Sequence, residues 1–471
     1  WGGVEGANPM RYKGGLTGGI WLTSLWSDLG NDIFDGANLV AGFEDLNPAN
    51  TYWSKYYHLF SNVDTEEDRF LTFEKWWGGF YKMTAEEIHF IVNSLFIGNE
   101  LEKGHLQLDD GRRIDLKNFQ DPSLAFASEG DNITPPPQAL NWIHKVYGSV
   151  DEIKRCGQII IYMVHKKIGH LGIFVSGSVA KKEHKQIIGN MGWLEFMAPG
   201  LYEMVIEETS TSTGLDDYTV RFEERQMEDI HDLDDGVADE EPFGPVNQIS
   251  RLNDSAYKIF VSPLLKSFVN EPTAEYIRQL HPLRMQRYTI SDRNPFCRPV
   301  KELAESARSQ RKIVSRDNPF VQYEEYFSES VKNNLNLFRD LRDASQEFVF
   351  KSIYDNSWMK TIFGATKDVP EDEPLAKAKI YGATEKEKAR LRKLAEEGGF
   401  IEASIRVIQA VVGTDMSLHI AEFETAEAII HKSKRLRALN PEQYKKINKE
   451  QALLLHAVPR KALTSLAVSY T

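Results

Sequence analysis

Two short apolar runs in the first half of the chain are each followed by a loop that carries one ionisable side chain. The runs are "SLAFAS", before Asp131, and "IIIYMV", before His170. Apolar runs of this length, bounded by turn residues, are typical of buried strands. The stretches "QALNWIHKVYG" and "SGSVAKKEHKQIIGNM" have helical spacing instead. The order strand, helix, strand, helix predicts part of a parallel sheet covered by helices.

The pattern changes beyond this region. The segments "LYEMVIEE" and "YTVRFEER" predict a hairpin, "DLDDGVADEEPFGP" indicates an acidic connection, and "KDVPEDEP" indicates a linker. In "NPEQ", Asn440 is expected to cap a helix that has Pro441 in its first turn and Gln443 at its third position. We expect an α/β part with a cap in residues 1–200, a hairpin and connection in 201–245, a helical region in 246–366 and a small helical domain in 375–471.

Composition narrows the class of protein. The 471 residues are 41% hydrophobic and 27% charged, with a formal net charge of −13, and this acidic balance argues against a general nucleic-acid binder. The two cysteines, Cys156 and Cys297, cannot form a disulfide framework, which favours a reducing compartment, the cytoplasm. Since no apolar run approaches the roughly 20 residues of a membrane span, we expect no transmembrane segment.

The two loops carry the candidate chemistry. In an open parallel sheet, ligands gather beyond the carboxyl ends of the strands, where both Asp131 and His170 are expected to lie. In a catalytic triad the histidine takes the proton of the nucleophile, and the acid fixes its tautomer. The order acid then histidine is that of α/β-hydrolases, whose nucleophile comes earlier in the chain. The alternative is that Asp131 caps the following helix and His170 is a packed turn residue.

A family resemblance favours the first interpretation. Polyhydroxyalkanoate synthases resemble this chain in their C-terminal part, through "GDNITPP" with its flanks and "GHLGIF". A bacterial family of poly(3-hydroxyalkanoate) synthetase-like proteins is more similar, through "NPANT", "FEKWW", "HPLR" and "SDRNP". The resemblance implies a partial α/β-hydrolase-like domain, with Asp131 as the acid and His170 as the base. It also implies a cysteine nucleophile upstream of Trp1, so we expect an N-terminal segment that this chain lacks.

No residue of the chain itself fits the nucleophile. The only elbow-like pattern is "GLTGG" around Thr17, which no apolar strand precedes. Cys156 lies at the entrance of the strand before His170, at the wrong end of the sheet, and Cys297 has no elbow glycines. His165 and His170 have no cysteine or acid at metal spacing, so we expect neither a metal nor a cofactor, with acyl-CoA as a substrate at most.

The aromatic stretch from Trp53 to Phe96 has two interpretations. It is either a cap that lines an acyl-chain pocket, which the hydrolase resemblance favours, or a helical core. The tail faintly resembles small helical domains related to tellurite-resistance proteins, but it lacks their paired acids. We interpret the tail as an interaction module.

The favoured function is acyl transfer or hydrolysis on a hydroxyacyl thioester or polyester, and a homo-oligomer is among the expected partners. The nucleophile would be acylated, while His170 moves the proton and Asp131 orients the ring. The alternative is a non-catalytic scaffold that keeps the fold and binds partners through its helical half, at polymer granules for example.

Overall fold

A computed structural model describes residues 8–466 with gaps at 109, 120, most of 171–196, 211–215, 234–241, 313, 364–384 and 413–416. The described residues are mostly helical. The helices are α1 Met10–Leu16, α2 Trp21–Leu29, α3 Gly36–Asp45, α4 Lys55–Ser61, α5 Glu67–Trp77, α6 Ala85–Phe90, α7 Pro136–Tyr147, α8 Val150–Cys156, α9 Met227–His231, α10 Gly244–Phe260, α11 Ser262–Phe268, α12 Glu271–Gln279, α13 Pro282–Thr289, α14 Arg298–Gln310, α15 Pro319–Tyr354, α16 Ser357–Phe363, α17 Glu385–Glu397, α18 Phe400–Val412, α19 Ile420–Lys432, α20 Pro441–Ala457 and α21 Pro459–Thr464. The strands are β1 Ile33–Asp35, β2 Lys82–Thr84, β3 Ser123–Ser128, β4 Ile159–His165, β5 Gly200–Ser210, β6 Asp216–Glu224 and β7 Ser417–His419.

The chain forms two compact units, and each is built from separate parts of the sequence. The sheet unit contains Trp1–Asn8, Asn99–Ala238 and Lys367–Thr471, and the helical unit contains Pro9–Gly98 and Asp239–Thr366. This grouping differs from the four consecutive regions expected from the sequence, because the tail joins the sheet and the aromatic stretch joins the helical region. The expected linker at 367–374 lies outside the described residues.

The sheet unit is organised around a mixed sheet with the strand order β3-β4-β5-β6-β7. Strands β3 and β4 run parallel, as their apolar runs predict. Strand β5, expected from the sequence only as half of a hairpin, also runs parallel to β4, whereas β5, β6 and β7 are antiparallel. The hairpin predicted from the sequence is the β5–β6 pair. The helix predicted over "SGSVAKKEHKQIIGNM" falls largely outside the described residues.

Strand β4 is buried on both faces, which explains its continuous apolar sequence. Ile160 and Tyr162 pack in one core with α7 and α8, whereas Ile159, Ile161 and Met163 belong to a second core with residues of β5 and β6. Since successive side chains of a strand point to opposite faces, the two cores lie on opposite sides of the sheet.

The tail is attached to the sheet unit through both backbone and side chains. Strand β7 pairs with β6, and the buried Asn448 of α20 donates a hydrogen bond to the Met197 carbonyl at 3.2 Å. The expected cap at the start of α20 is confirmed: the Asn440 side chain accepts from the Gln443 N–H, and the Gln443 side chain accepts from the Asn440 N–H. Among the described helices, none is both long enough and apolar enough to cross a membrane.

We expect the tail to stay bound to the sheet unit after the chain is cut. A protease site inserted after Pro374 would break the covalent connection but leave the β6–β7 ladder and the Asn448 contact in place. The two fragments should therefore elute together in native size-exclusion chromatography and separate in denaturant. A tail that elutes alone under native conditions would show that residues 375–471 form the separate domain that the sequence predicts.

Candidate active site

The acid loop begins where β3 ends, and it is held by the loop that follows β4. The Ser128 hydroxyl donates to the Ile168 carbonyl at 2.6 Å, and the Glu129 N–H donates to the His165 carbonyl at 2.8 Å. Gly130 allows the loops to approach, because a Cβ there would lie 2.6 Å from the Lys167 carbonyl carbon and 2.8 Å from the Ile168 oxygen. The contact between the loops is therefore mainly one of backbone against backbone.

The histidine loop is ordered by His165, the last residue of β4. The Nδ1 atom of His165 accepts hydrogen bonds from the N–H groups of Lys167 at 3.0 Å and Ile168 at 3.2 Å. These bonds turn the chain directly after β4 and bring His170 back toward the acid loop. His165 therefore shapes the loop, a role that spacing alone did not indicate.

Asp131 is held by the turn that it starts. One carboxylate oxygen, Oδ1, accepts from the N–H groups of Ile133 at 2.8 Å and Thr134 at 2.9 Å. The following helix begins at Pro136 with Pro135 at the N-cap position and no side-chain cap bond, so Asp131 is not the cap of this helix. The helix-cap role that the sequence left open for Asp131 is therefore not observed. Asp131 forms an Asx-type turn instead, in which its second carboxylate oxygen, Oδ2, can accept from other donors.

The second oxygen of Asp131 meets His170. The distance from Asp131 Oδ2 to His170 Nδ1 is 3.0 Å, and the Thr134 hydroxyl donates to the same oxygen at 2.6 Å. The Thr134 hydroxyl oxygen also lies 3.2 Å from His170 Nδ1, so it touches both members of the pair. The structure thus brings together the two residues selected from the sequence and adds Thr134, which the sequence analysis missed.

The surroundings of Asp131 favour its charged form. Burial by itself would raise the pKa of the carboxyl, but the hydrogen bonds from His170, from the Thr134 hydroxyl and from the Thr134 and Ile133 N–H groups lower this pKa from 3.8 to about 2. The carboxylate can only accept hydrogen bonds, so the proton of a neutral His170 ring resides on Nδ1.

This tautomer has a chemical consequence. Within the described part of the chain, both hydrogen bonds of the His170 ring involve Nδ1, so Nε2 is on the opposite side of the ring from Asp131. The His170 side chain is 31% exposed, compared with 10% for Asp131. An unprotonated Nε2 can accept a proton, and the carboxylate stabilises the imidazolium that results.

The residues considered as nucleophiles do not complete this pair. Cys156 is at the end of α8, before β4, and burial followed by the charge of Glu152 raises the pKa of its thiol. The Cys297 thiol donates to the Thr289 carbonyl in the helical unit. Thr17 follows the helix α1 rather than a strand, and its hydroxyl donates to the Gly14 carbonyl.

A second group of serine, histidine and aspartate lies in the helical unit. The Ser24 hydroxyl lies 2.6 Å from Asp254 Oδ1 and 3.1 Å from His89 Nε2. A hydroxyl has one proton, and Ser24 donates it to the carboxylate, so His89 must be the donor in the second bond. His89 therefore cannot act as the base for Ser24, and the group is a buried hydrogen-bond network rather than a triad.

We expect Gly130→Ala to destabilise the protein and Gly169→Ala to leave its stability nearly unchanged. The new Cβ at position 130 would clash with the backbone of Lys167 and Ile168, whereas a Cβ at position 169 meets no atom of the described residues within 4 Å. Crowding of this kind costs about 1–3 kcal/mol. The measurement is the free energy of unfolding in denaturant, and equal values for the two variants would contradict the close approach of the loops.

Removal of the Asp131 charge should give a pH-dependent loss of stability. Because the folded pKa is about 2 and the ordinary value is 3.8, the carboxylate stabilises the fold above about pH 4, and this contribution is lost as the pH falls toward 2. The shift corresponds to about 2 kcal/mol. The difference in unfolding free energy between wild type and Asp131→Asn should therefore shrink between pH 5 and pH 2, each measured in denaturant titrations. A constant difference would show that the carboxylate charge is not stabilised by the fold.

The sequence has relatives of two kinds. An uncharacterised protein from the ackA 5′ region of Rhizobium meliloti is 38% identical over 99% of this chain, which spans 65% of that protein. The poly(3-hydroxyalkanoate) polymerase subunit PhaC of Haloarcula marismortui is 26% identical over 38% of this chain and 35% of its own length. The corresponding PhaC subunit of Haloferax mediterranei is 26% identical over 29% of this chain and 26% of its own length. No solved structure shows a significant match.

These relationships agree with the resemblance found in the motifs, but they cover different shares of the chain. The similarity to PhaC covers a minor part of the chain, whereas a family match extends over residues 1–397. That match includes β3, β4 and both candidate loops. The chain belongs to the DUF3141 family, which is described as a protein family of unknown function.

Proposed function

We propose that this chain supplies the acid and the base of an acyl-transfer site of the α/β-hydrolase type. The observation that carries the proposal is the 3.0 Å contact between Asp131 Oδ2 and His170 Nδ1, in loops that leave the carboxyl ends of two neighbouring parallel strands. Side chains at this edge of an open sheet are those best placed to meet a ligand. The partial similarity to PhaC subunits supports a hydroxyacyl thioester or polyester as the substrate.

In the proposed reaction, His170 accepts and returns a proton, and Asp131 stabilises the protonated ring. The Nε2 atom of His170 takes the proton of a thiol or hydroxyl nucleophile, which attacks the acyl carbonyl carbon. The protonated ring then gives this proton to the departing thiolate or alkoxide, and an acyl-enzyme is left. A second acceptor, either water or a hydroxyacyl group, releases the acyl chain by the reverse sequence of proton transfers.

The nucleophile in this proposal comes from a segment outside this chain, as the resemblance implies. The three candidates within it, Thr17, Cys156 and Cys297, each donate their hydroxyl or thiol proton to a nearby oxygen. Cys156, for example, is held at 3.8 Å from a carboxylate oxygen of Glu152, which opposes formation of the thiolate. Exposure of the His170 ring is compatible with a partner group that approaches Nε2 from outside the described residues.

We expect His170→Ala to abolish most acyl turnover by the full-length protein without loss of folding. General acid–base catalysis contributes about 10² to 10⁴-fold, and His170 is the only proposed proton carrier. The measurement is turnover of hydroxyacyl-CoA and short esters per folded molecule, together with a thermal melt. His431→Ala is a matched control, because this histidine is 66% exposed on α19, and its removal should change neither quantity.

Asp131→Asn gives an independent test of the same proton transfer. The amide can donate to Nδ1 and thereby favour the wrong tautomer, so turnover should fall even where the variant is folded. Full turnover in both His170→Ala and Asp131→Asn would contradict an enzymatic role for the pair. Absence of turnover in the wild type on these substrates would instead favour the non-catalytic scaffold that the sequence also allows.

A further inference from the structure

The longest helix, α15, has two faces that differ in their partners. Its inner face packs within the helical unit: Ser328 accepts a hydrogen bond from the Trp53 indole at 2.8 Å, and Arg342 donates to the Asp45 carbonyl at 2.9 Å. Phe350 is fully buried, and the Tyr354 hydroxyl donates to the Gly15 carbonyl at 3.1 Å. These contacts hold α15 in its unit, and the Phe327 ring adds an edge contact with the Trp53 ring, with 6.0 Å between the ring centroids.

The outer face carries a regular stripe of uncharged residues, which we call the outer seam. Its members alternate three and four residues apart, the spacing of positions a and d in a heptad repeat, and they are Phe320, Tyr323, Phe327, Ser330, Asn334, Leu337, Leu341, Ala344 and Phe348. All nine are exposed, and the six large apolar or aromatic side chains are between 50% and 84% exposed. The seam runs through four heptads, with six large apolar or aromatic residues, one alanine and two polar residues near its centre, a spacing typical of coiled coils.

We propose that the outer seam pairs with the same seam of a second copy of this chain, in an antiparallel coiled coil. The spacing of the seam supports a helix as the partner. A stripe that repeats every 3.5 residues stays along one line of contact when two helices supercoil around each other. Residues 320–344 of the seam pair in the arrangement described below and span about 36 Å at 1.5 Å per residue, whereas Phe348 lies beyond the paired stretch. A helix pair of this length offers a contact on the order of 1,000 Å² in total. That area is of the size needed for a specific interface.

The antiparallel orientation follows from the order of residues along the seam. With a two-fold axis beside residue 332, Phe320 meets Ala344 of the second copy, and Tyr323 meets its Leu341. Phe327 meets Leu337 of the second copy in the same way. The two polar residues, Ser330 and Asn334, then face each other at the centre. A parallel pair would instead place Ala344 against Ala344 and Ser330 against Ser330, which leaves gaps and separates the polar residues.

The composition of α15 argues against a lipid surface as the occupant. Helices that lie on membranes are rich in lysine and arginine on their polar face. On α15 acidic residues outnumber basic ones by six to four, so an anionic membrane would repel this helix more than attract it.

The test is the oligomeric state of the full chain, measured by sedimentation velocity across a concentration series through the micromolar range. Wild type should be a dimer, and Leu337→Glu or Leu341→Glu should weaken dimerisation by roughly 30-fold or more, the loss typical of a central interface residue. Both leucines are more than half exposed in the single chain, so the variants should melt like wild type. Gln322→Glu is the control, since it adds the same charge to an exposed position of α15 outside the seam.

Disulfide formation tests the orientation. In a background with Cys156→Ser and Cys297→Ser, the double variant Tyr323→Cys/Leu341→Cys should form a covalent dimer. Tyr323→Cys alone should not, because the two copies of residue 323 would be about 27 Å apart in the antiparallel pair. A covalent dimer of Tyr323→Cys alone would overturn this orientation.

Three other results would overturn the second copy as occupant. One is a monomeric wild type at every concentration, and another is a dimer that persists in Leu341→Glu. The third is a monomer that floats with phosphatidylcholine vesicles and loses this property in Leu341→Glu, which would assign the seam to a lipid surface.

Discussion

The parallel pairing of β3 and β4 is the constraint on which the candidate site depends. The register places Ser128, the last residue of β3, beside His165, the last residue of β4. Both strands therefore end at the same level, and their loops start side by side. The contact between the loops is made by backbone groups and the Ser128 hydroxyl, with Gly130 providing the space. Asp131 and His170 are thus brought together by the sheet and its loops, and their own hydrogen bond adds to an arrangement that already exists.

The sequence of the acid loop explains why a buried carboxylate stays charged. Three prolines follow Thr134, and none of them has an N–H group, so the last backbone donors before the helix are those of Ile133 and Thr134. Both donate to Asp131. The Thr134 hydroxyl and the His170 ring add two more donors, and together these bonds outweigh the burial that would otherwise raise the pKa. An acid that is ionised in advance can stabilise an imidazolium without reorganisation of its surroundings.

Local patterns predicted much of this arrangement. The apolar runs of β3 and β4, the hairpin and the cap at Asn440 each depend on neighbouring residues, so the sequence indicates them directly. Thr134 and Ser128 could not be selected in this way, because their roles depend on which loops the register brings together. The division of the chain into two units, each built from separate segments, could not be predicted from local patterns either. Strand β7 has three residues, which is too short for a recognisable pattern, yet it continues the sheet more than 190 residues after its neighbour β6.

Residue types alone do not define a site, and the helical unit shows why. Ser24, His89 and Asp254 are the residue types of a triad and lie within hydrogen-bond distance, but the carboxylate is bonded to the serine rather than to the histidine. The Ser24 hydroxyl donates its one proton to Asp254, so the His89 ring must be the donor in its bond to Ser24. At Asp131 and His170 the direction is reversed: the carboxylate is bonded to Nδ1, and the second ring nitrogen is left to accept a proton. The direction of each hydrogen bond follows from the number of protons on each group. It therefore distinguishes a buried polar network from the arrangement that the proposed proton transfer requires.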